Sequence, residues 1–247
     1  MKLNLLNKIL ERTEMCDIAQ ECGTDKEKHG YTRLYDKVMY SYKDSEISFL
    51  EIGIYQGNSL KLWNRYFRKG KIFAIDNGGV FHHGYNTNHY SSTDQGFSHL
   101  ENENVKCFNA DQKDIHQIKK AFDYFGCKIF DFILDDGSHF QECQQKSLGI
   151  LFKYLRSGGF YIIEDVIDYS DLKNGSWWNQ KRSDCSDSTD FVFSKYLKEG
   201  IFESDYMTED EKKYFLDNIE DIYIFDQQNR NNSPVSGTSK LIVIKKK

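Results

Sequence analysis

The sequence predicts an α/β protein in which one mostly parallel sheet carries helices on both faces and closes on an antiparallel hairpin. Three observations point there. From residue 47 onward, short apolar runs alternate with stretches of helical periodicity, the pattern of successive βα units. The two most apolar runs, 130–136 and 161–165, are continuous rather than alternating, as strands buried on both faces are. The last two runs, 219–226 and 241–245, are joined by a stretch rich in Asn, Ser and Gly, which reads as a hairpin adding an antiparallel strand.

Size and composition frame the prediction. The 247 residues are read as one domain, 1–247, with a helical N-terminal extension at 1–45 and an α/β core at 47–247. Of all residues 39% are hydrophobic and 29% charged, and the single proline, Pro234, leaves no room for a Pro-rich linker. A net charge of −5 argues against a nucleic-acid groove or an anionic membrane surface as main partner. No stretch approaches the ~18 apolar residues of a membrane span. Leu3, Leu6, Ile9 and Leu10 fall at helical spacing among polar residues, an amphipathic helix rather than a secretion signal. Six cysteines without a CxxC pair are expected to be reduced thiols in a cytoplasm.

In chain order, residues 1–45 read as helices interrupted by the polar stretch 21–26; His29 to Tyr35 reads as a helix start with a core tyrosine, or else as a cover over a bound cofactor. Strand 47–54, helix 59–68 and strand 71–76 follow. Residues 77–104 are polar and aperiodic, with His82, His83 and His89, and a loop of that length is usually functional or mobile. Strand 105–111 precedes a helix with Ile115, Ile118, Ala121 and Phe122 on one face. The run 130–136 then leads through a helical stretch, 141–156, to the run 161–165. A second polar segment, 166–187, holds Trp177 and Trp178, and a helix resumes at 191–197. The two polar segments are expected to form one side of a crevice and to be partly mobile when it is empty, with Tyr85, Tyr90, Trp177 and Trp178 suited to stacking on a ring.

A right-handed crossover between the two central runs brings Asp136, His139, Glu164 and Asp165 to one sheet edge, where α/β sheets bind ligands. Upstream, Glu51-Ile52-Gly53-Ile54-Tyr55-Gln56-Gly57-Asn58-Ser59 sets two glycines between strand and helix, where a backbone comes close to a ligand. It is neither G-x-G-x-x-G, since Tyr55 stands at the second glycine, nor a phosphate loop, since Asn58-Ser59 replaces Lys-Ser. Asp76 ends the second strand, where a carboxylate suits ribose hydroxyls, and Asp111 ends the third, where it suits an adenine amino group. Each acid alone is an ordinary cap or strand end. Acids closing three successive strands favour a nucleoside-containing cofactor.

With Glu-x-Gly-x-x-x-Gly, the acids after the second and third strands and the closing hairpin, the chain resembles the Rossmann-like class I S-adenosylmethionine-dependent methyltransferases over about residues 47–247. Gly23-Thr24-Asp25-Lys26, Asp135-Asp136-Gly137-Ser138-His139 and Glu164-Asp165 resemble, more narrowly, the metal-dependent sugar O-methyltransferases of macrolide tailoring, of mycinamicin and tylosin type. That resemblance implies S-adenosylmethionine bound by Glu51, Gly53, Gly57, Ser59, Asp76, Asp111 and Asp135, with Glu51 and Asp135 near its amino-acid part. It implies a divalent metal, Mg²⁺ by preference, on Asp136, Glu164 and Asp165, with His139 as base. The acceptor it implies is a small carbohydrate-containing molecule; the long loop 77–104 and the short N-terminal region depart from the macrolide enzymes.

The chemistry agrees. An alcohol stays protonated at neutral pH, a hard cation held by carboxylates acidifies it, and an imidazole, which titrates near neutrality, can take the proton. Two rival readings remain: a metal-dependent oxygenase similar to the cephalosporin hydroxylase group, which needs a second histidine such as His82, His83 or His89, and a non-catalytic glycan-binding scaffold, which the intact acid set argues against. Richness in Lys, Asn, Ile, Tyr and Phe matches an AT-rich bacterial genome, where a surface or capsular polysaccharide precursor is a natural acceptor. A homo-oligomer is left open.

Overall fold

The structure is a computed structural model and describes residues 11–78, 97–169, 185–226 and 239–247. The helix read at Leu3 to Leu10, the histidines and tyrosines of 79–96, Trp177 and Trp178 lie outside the described residues. So do most of the two polar segments.

Seven strands form one sheet: β1 (Ser48–Ile52), β2 (Lys71–Asp76), β3 (Val105–Asn109), β4 (Phe130–Asp135), β5 (Leu155–Ile167), β6 (Ile219–Asp226) and β7 (Ser239–Lys246). Their order is β3-β2-β1-β4-β5-β7-β6. The first five are parallel, and β7 runs antiparallel between β5 and β6. The fold class read from the sequence is therefore the one observed.

Helices α1 (Glu14–Cys22), α2 (Tyr31–Met39) and α3 (Asn58–Tyr66) cover one face. Met15, Tyr35, Leu62 and Trp63 pack there with Phe49, Phe132 and Ile162. Helices α4 (Ile115–Phe125), α5 (Gln141–Leu151), α6 (Thr189–Glu199) and α7 (Glu209–Asn218) serve the other. On that side Ile118, Phe122, Leu148, Phe193 and Phe215 meet Leu50, Ile133 and Tyr161. Because side chains alternate along a strand, Phe132 and Leu134 point to the first face while Ile133 points to the second. β4 buries all six of its residues, as the continuous apolar run required.

Several element ends differ from the sequence reading by a residue or two, and three larger differences have a physical reason. The helix expected over 141–156 ends at Leu151, and Leu155 already pairs with Phe130; Gly158, at φ 79°, then lets the strand resume opposite Phe132 past a bulge. The third strand stops at Asn109, because the amide of Asp111 donates to Gln117 Oε1 and so turns the chain toward α4. Helix α7 was not anticipated; its mark in the sequence is the capping box Thr208 and Glu211, two side chains bonding each other's backbone amides.

Candidate active site

The carboxyl ends of β1, β4 and β5 meet in a cluster of acids organised by strand alternation. Phe49, Ile162 and Leu134 face α1–α3, so Glu51 and Glu164, each two residues from one of them, project to that side. Asp135 projects to the α5 side. It is 1% exposed and accepts from Gln112 Nε2 at 3.2 Å, from the Gly137 amide at 3.3 Å and from Ser147 Oγ. Burial pushes its carboxyl up to about 6 against those donors. Asp135 thus braces the turn after β4 from beneath.

That turn carries Asp136 and His139. Gln112 holds it from the side, its Oε1 accepting the Ser138 amide at 3.1 Å. Gly137 leaves room for that amide group, since a Cβ there would stand 2.3 Å from Gln112 Oε1. His139 and Asp165 both have left-handed backbones, φ 59° and 49°. Non-glycine residues rarely adopt that region, and those that do gather at functional sites. Ligand atoms of Asp136, His139 and Asp165 all lie within 4.8 Å of one another, with His139 Nε2 at 3.9 Å from Asp165 Oδ2.

Each acid of the cluster has its own support. Asp165 Oδ1 accepts from Tyr31 Oη at 2.8 Å and from Ser239 Oγ at 3.0 Å, joining α2, β5 and β7. Burial works to raise its pKa, but the charges of His139 and His29 and these two hydroxyl donors outweigh it, so the group sits below its ordinary value. Glu164 moves the other way: burial and the adjacent Asp136 charge raise it well above the usual range. Asp136 is also raised, by burial, with Lys26 opposing.

Lys26 is the residue whose role the sequence did not disclose. It arrives from the short helix Asp25–Glu27 between α1 and α2 and is 1% exposed. Its Nζ donates to Asp136 Oδ2 and to Glu164 Oε1, both at 2.6 Å, and lies 3.6 Å from Glu51 Oε1. Burial alone would lower its pKa; the three carboxylates overcome it and hold the ammonium form. Its only trace in the sequence was membership of the Gly-Thr-Asp-Lys run. Nothing local links that run to acids more than a hundred positions away.

At the carboxyl end of β1, Glu51 is wholly buried, accepts from Ser59 Oγ at 2.9 Å, and is pushed up to about 7 by burial against the pull of Lys26. Asp76 receives the Ile54 amide on Oδ2 and the Gly78 amide on Oδ1, both at 2.8 Å, which ties β2 to the glycine turn. Asp111 Oδ1 accepts the Lys113 amide at 2.8 Å, a local turn before α4. The two glycines have structural reasons: at Gly53, φ 93°, a Cβ would stand 2.2 Å from the Asp136 carbonyl oxygen, and at Gly57, φ 72°, 2.7 Å from Leu100. The structure therefore brings Asp136, His139 and Asp165 together, and gathers Asp136, Glu164 and Glu51 around Lys26 Nζ. Asp76 stands beside the glycine turn, Asp111 at the next strand over, and Asp135 on the far face.

This architecture is the class I methyltransferase fold. Over 96% of its length the chain superposes on the MycE methyltransferase of the mycinamycin pathway in complex with Mg and SAH, with a TM-score of 0.65 and 21% identity, covering 55% of that chain. The same figures hold for MycE with Mg, SAH and mycinamycin VI. In sequence the chain is 32% identical over 145 residues to demethylmacrocin O-methyltransferase of Streptomyces fradiae, covering 56% of this chain and 32% of that one. It is 33% identical over 145 residues to L-olivosyl-oleandolide 3-O-methyltransferase of Streptomyces antibioticus, covering 56% and 33%. Against 8-demethyl-8-alpha-L-rhamnosyl tetracenomycin-C 2'-O-methyltransferase of Streptomyces olivaceus the identity is 27% over 202 residues, covering 78% and 47%. The chain thus spans about a third to a half of the length of these relatives. No family model matches it.

Proposed function

We propose that the chain is an S-adenosylmethionine- and divalent-metal-dependent O-methyltransferase, with Mg²⁺ as the preferred ion, acting on a hydroxyl of a sugar or sugar-containing small molecule. The observation that carries the reading is the convergence of Asp136, His139 and Asp165 ligand atoms within 4.8 Å at the carboxyl end of the sheet. Asp136 and Asp165 supply its carboxylate oxygens, and Glu164, which lies outside that group, is joined to Asp136 through the Lys26 ammonium; together the three acids form an oxygen-rich donor set that fits a hard cation. A single histidine in that set, among the described residues, fits an oxygenase iron site less well, since that needs two.

In this reading Asp136, Glu164 and Asp165 hold the ion, and Gly53 and Gly57 keep the turn narrow beside Asp76, which accepts ribose hydroxyls. When bound, S-adenosylmethionine supplies an electrophilic methyl group and the ion supplies Lewis acidity. His139 takes the acceptor's hydroxyl proton on Nε2. Asp165 Oδ2, 3.9 Å away, stabilises the imidazolium that results. Asp135, Gln112 and Gly137 keep the turn bearing His139 in place. The olivosyl and rhamnosyl groups in the names of two relatives support a carbohydrate acceptor. We extend this to a nucleotide-linked or phosphorylated sugar of bacterial surface polysaccharide synthesis, made in the cytoplasm.

The test is transfer of a labelled methyl group from S-adenosylmethionine to a panel of such sugars. Transfer abolished by EDTA and restored by Mg²⁺ is the expected result. Full transfer in excess EDTA excludes the metal, and failure to bind S-adenosylmethionine in calorimetry excludes the reading altogether.

A further inference from the structure

The buried lysine of the acid cluster has no part in the reaction just outlined, yet it makes the shortest contacts to two of the residues assigned to the ion. An ammonium group 1% exposed is costly to bury alone. Here it is paid back by three carboxylates on three different strand ends. Asp136 Oδ2 and Glu164 Oε1, each 2.6 Å from Nζ, use lone pairs on the ammonium hydrogens that a hard cation also seeks. Glu51 Oε1, at 3.6 Å, extends the same ion pairing to the cofactor side.

Building on the metal-dependent reading, we infer that Lys26 is a positioning residue for the divalent ion: its ammonium group is the internal counter-ion of Glu51, Asp136 and Glu164, and the ion must share Asp136 and Glu164 with it. Lys26 therefore lets the acids assemble before the ion arrives, and it weakens the ion's binding. The sign follows from charge. With the lysine neutralised, Glu51, Asp136 and Glu164 lose their fixed positive partner, so an incoming dication meets less repulsion and freer oxygens; at an effective dielectric near 20, one unit charge a few ångströms away is worth at least about tenfold in affinity.

The experiment titrates Mg²⁺ into wild-type, Lys26→Met and Lys26→Arg proteins by calorimetry and follows thermal melting with EDTA and with saturating Mg²⁺. Lys26→Met is expected to bind Mg²⁺ at least about tenfold more tightly, and to melt lower in EDTA but close to wild type in Mg²⁺. Lys26→Arg, which keeps the charge, is expected to bind Mg²⁺ within a few-fold of wild type. A lysine with a merely structural role lowers melting equally in both conditions and leaves Mg²⁺ affinity unchanged; that result overturns the inference. Should Lys26→Met fail to fold, the ¹⁵N resonance of the wild-type Lys26 ammonium group decides. It shifts on Mg²⁺ saturation if the carboxylates are shared, and an unmoved resonance refutes sharing. Uptake of Mg²⁺ by neither wild type nor variants sinks the metal-dependent reading, and this inference with it, whereas equal uptake by all of them sinks this inference alone.

Discussion

His139 and Asp165 hold left-handed backbones within reach of each other, and such conformations persist only where the surroundings over-determine them. Tyr31 and Ser239 do so for Asp165, and Gln112 does so for the turn before His139. Replacing His139 by Ala should leave cofactor affinity nearly intact and lower turnover by about 10² to 10⁴, the usual worth of a positioned base; single-turnover kinetics beside calorimetry with S-adenosylhomocysteine separate the two. Under the proposed function, Asp76→Ala should weaken cofactor binding by at least about tenfold, because it removes the acceptor proposed for the ribose and frees the Ile54 amide. Glu51 supplies a pH test. Its carboxyl is raised from 4.5 to about 7, chiefly by burial, so the folded protein holds that proton more tightly than the unfolded chain. The resulting stabilisation is complete below pH 4.5 and is lost as pH rises through 7, roughly 3 kcal/mol in all. Urea unfolding in EDTA should show wild-type stability falling between pH 5 and 8 relative to Glu51→Gln, which has no proton to lose; parallel curves would contradict the assignment. Residues of this kind were legible in sequence where strand ends announced them, as for Asp136, His139 and Glu164. Lys26, Gln112 and Tyr31 were not, because their partners are distant in the chain and their types are ordinary surface or core choices.

Among the elements, the turn after β1 holds a glycine pattern whose close contacts lie within the protein. Spacing identified Gly53 and Gly57 as places of close approach, and the nearest atoms prove to be the Asp136 carbonyl and Leu100. Gly53→Ala should therefore cost more than the strain of φ 93° alone, because its Cβ collides with backbone rather than with a flexible side chain. A control is Gly126, which ends α4 at φ 68° with nothing within 4 Å of its missing Cβ. Gly126→Ala is expected to destabilise by about 1 kcal/mol from backbone strain. Gly53→Ala should lose at least about twice that and weaken cofactor binding too, measured by urea unfolding and calorimetry on the same preparations. The strands were legible because β4 and the core of β5 are continuous apolar runs. The end of α5 was not, since Phe152-Lys153-Tyr154-Leu155 continues the helical pattern and only pairing of Leu155 with Phe130 stops it.

For the whole molecule, the three-layer arrangement followed from the alternation of runs, and each face of the sheet has its own core. The order β5-β7-β6 was not deducible, because a hairpin pattern says that two strands pair without saying which of them meets the parallel sheet. That order bears on how the protein comes into being on the ribosome. Of the seven strands β7 is the latest to be synthesised, yet it lies between two earlier ones, so β6 has no sheet partner until it emerges. Ser239, its first residue, is one of the two hydroxyl groups that steady Asp165. A nascent chain stalled at residue 226 should therefore lack the finished acid cluster, and ribosome-bound chains of increasing length should gain protease resistance and Mg²⁺ uptake together only once β7 has cleared the exit tunnel.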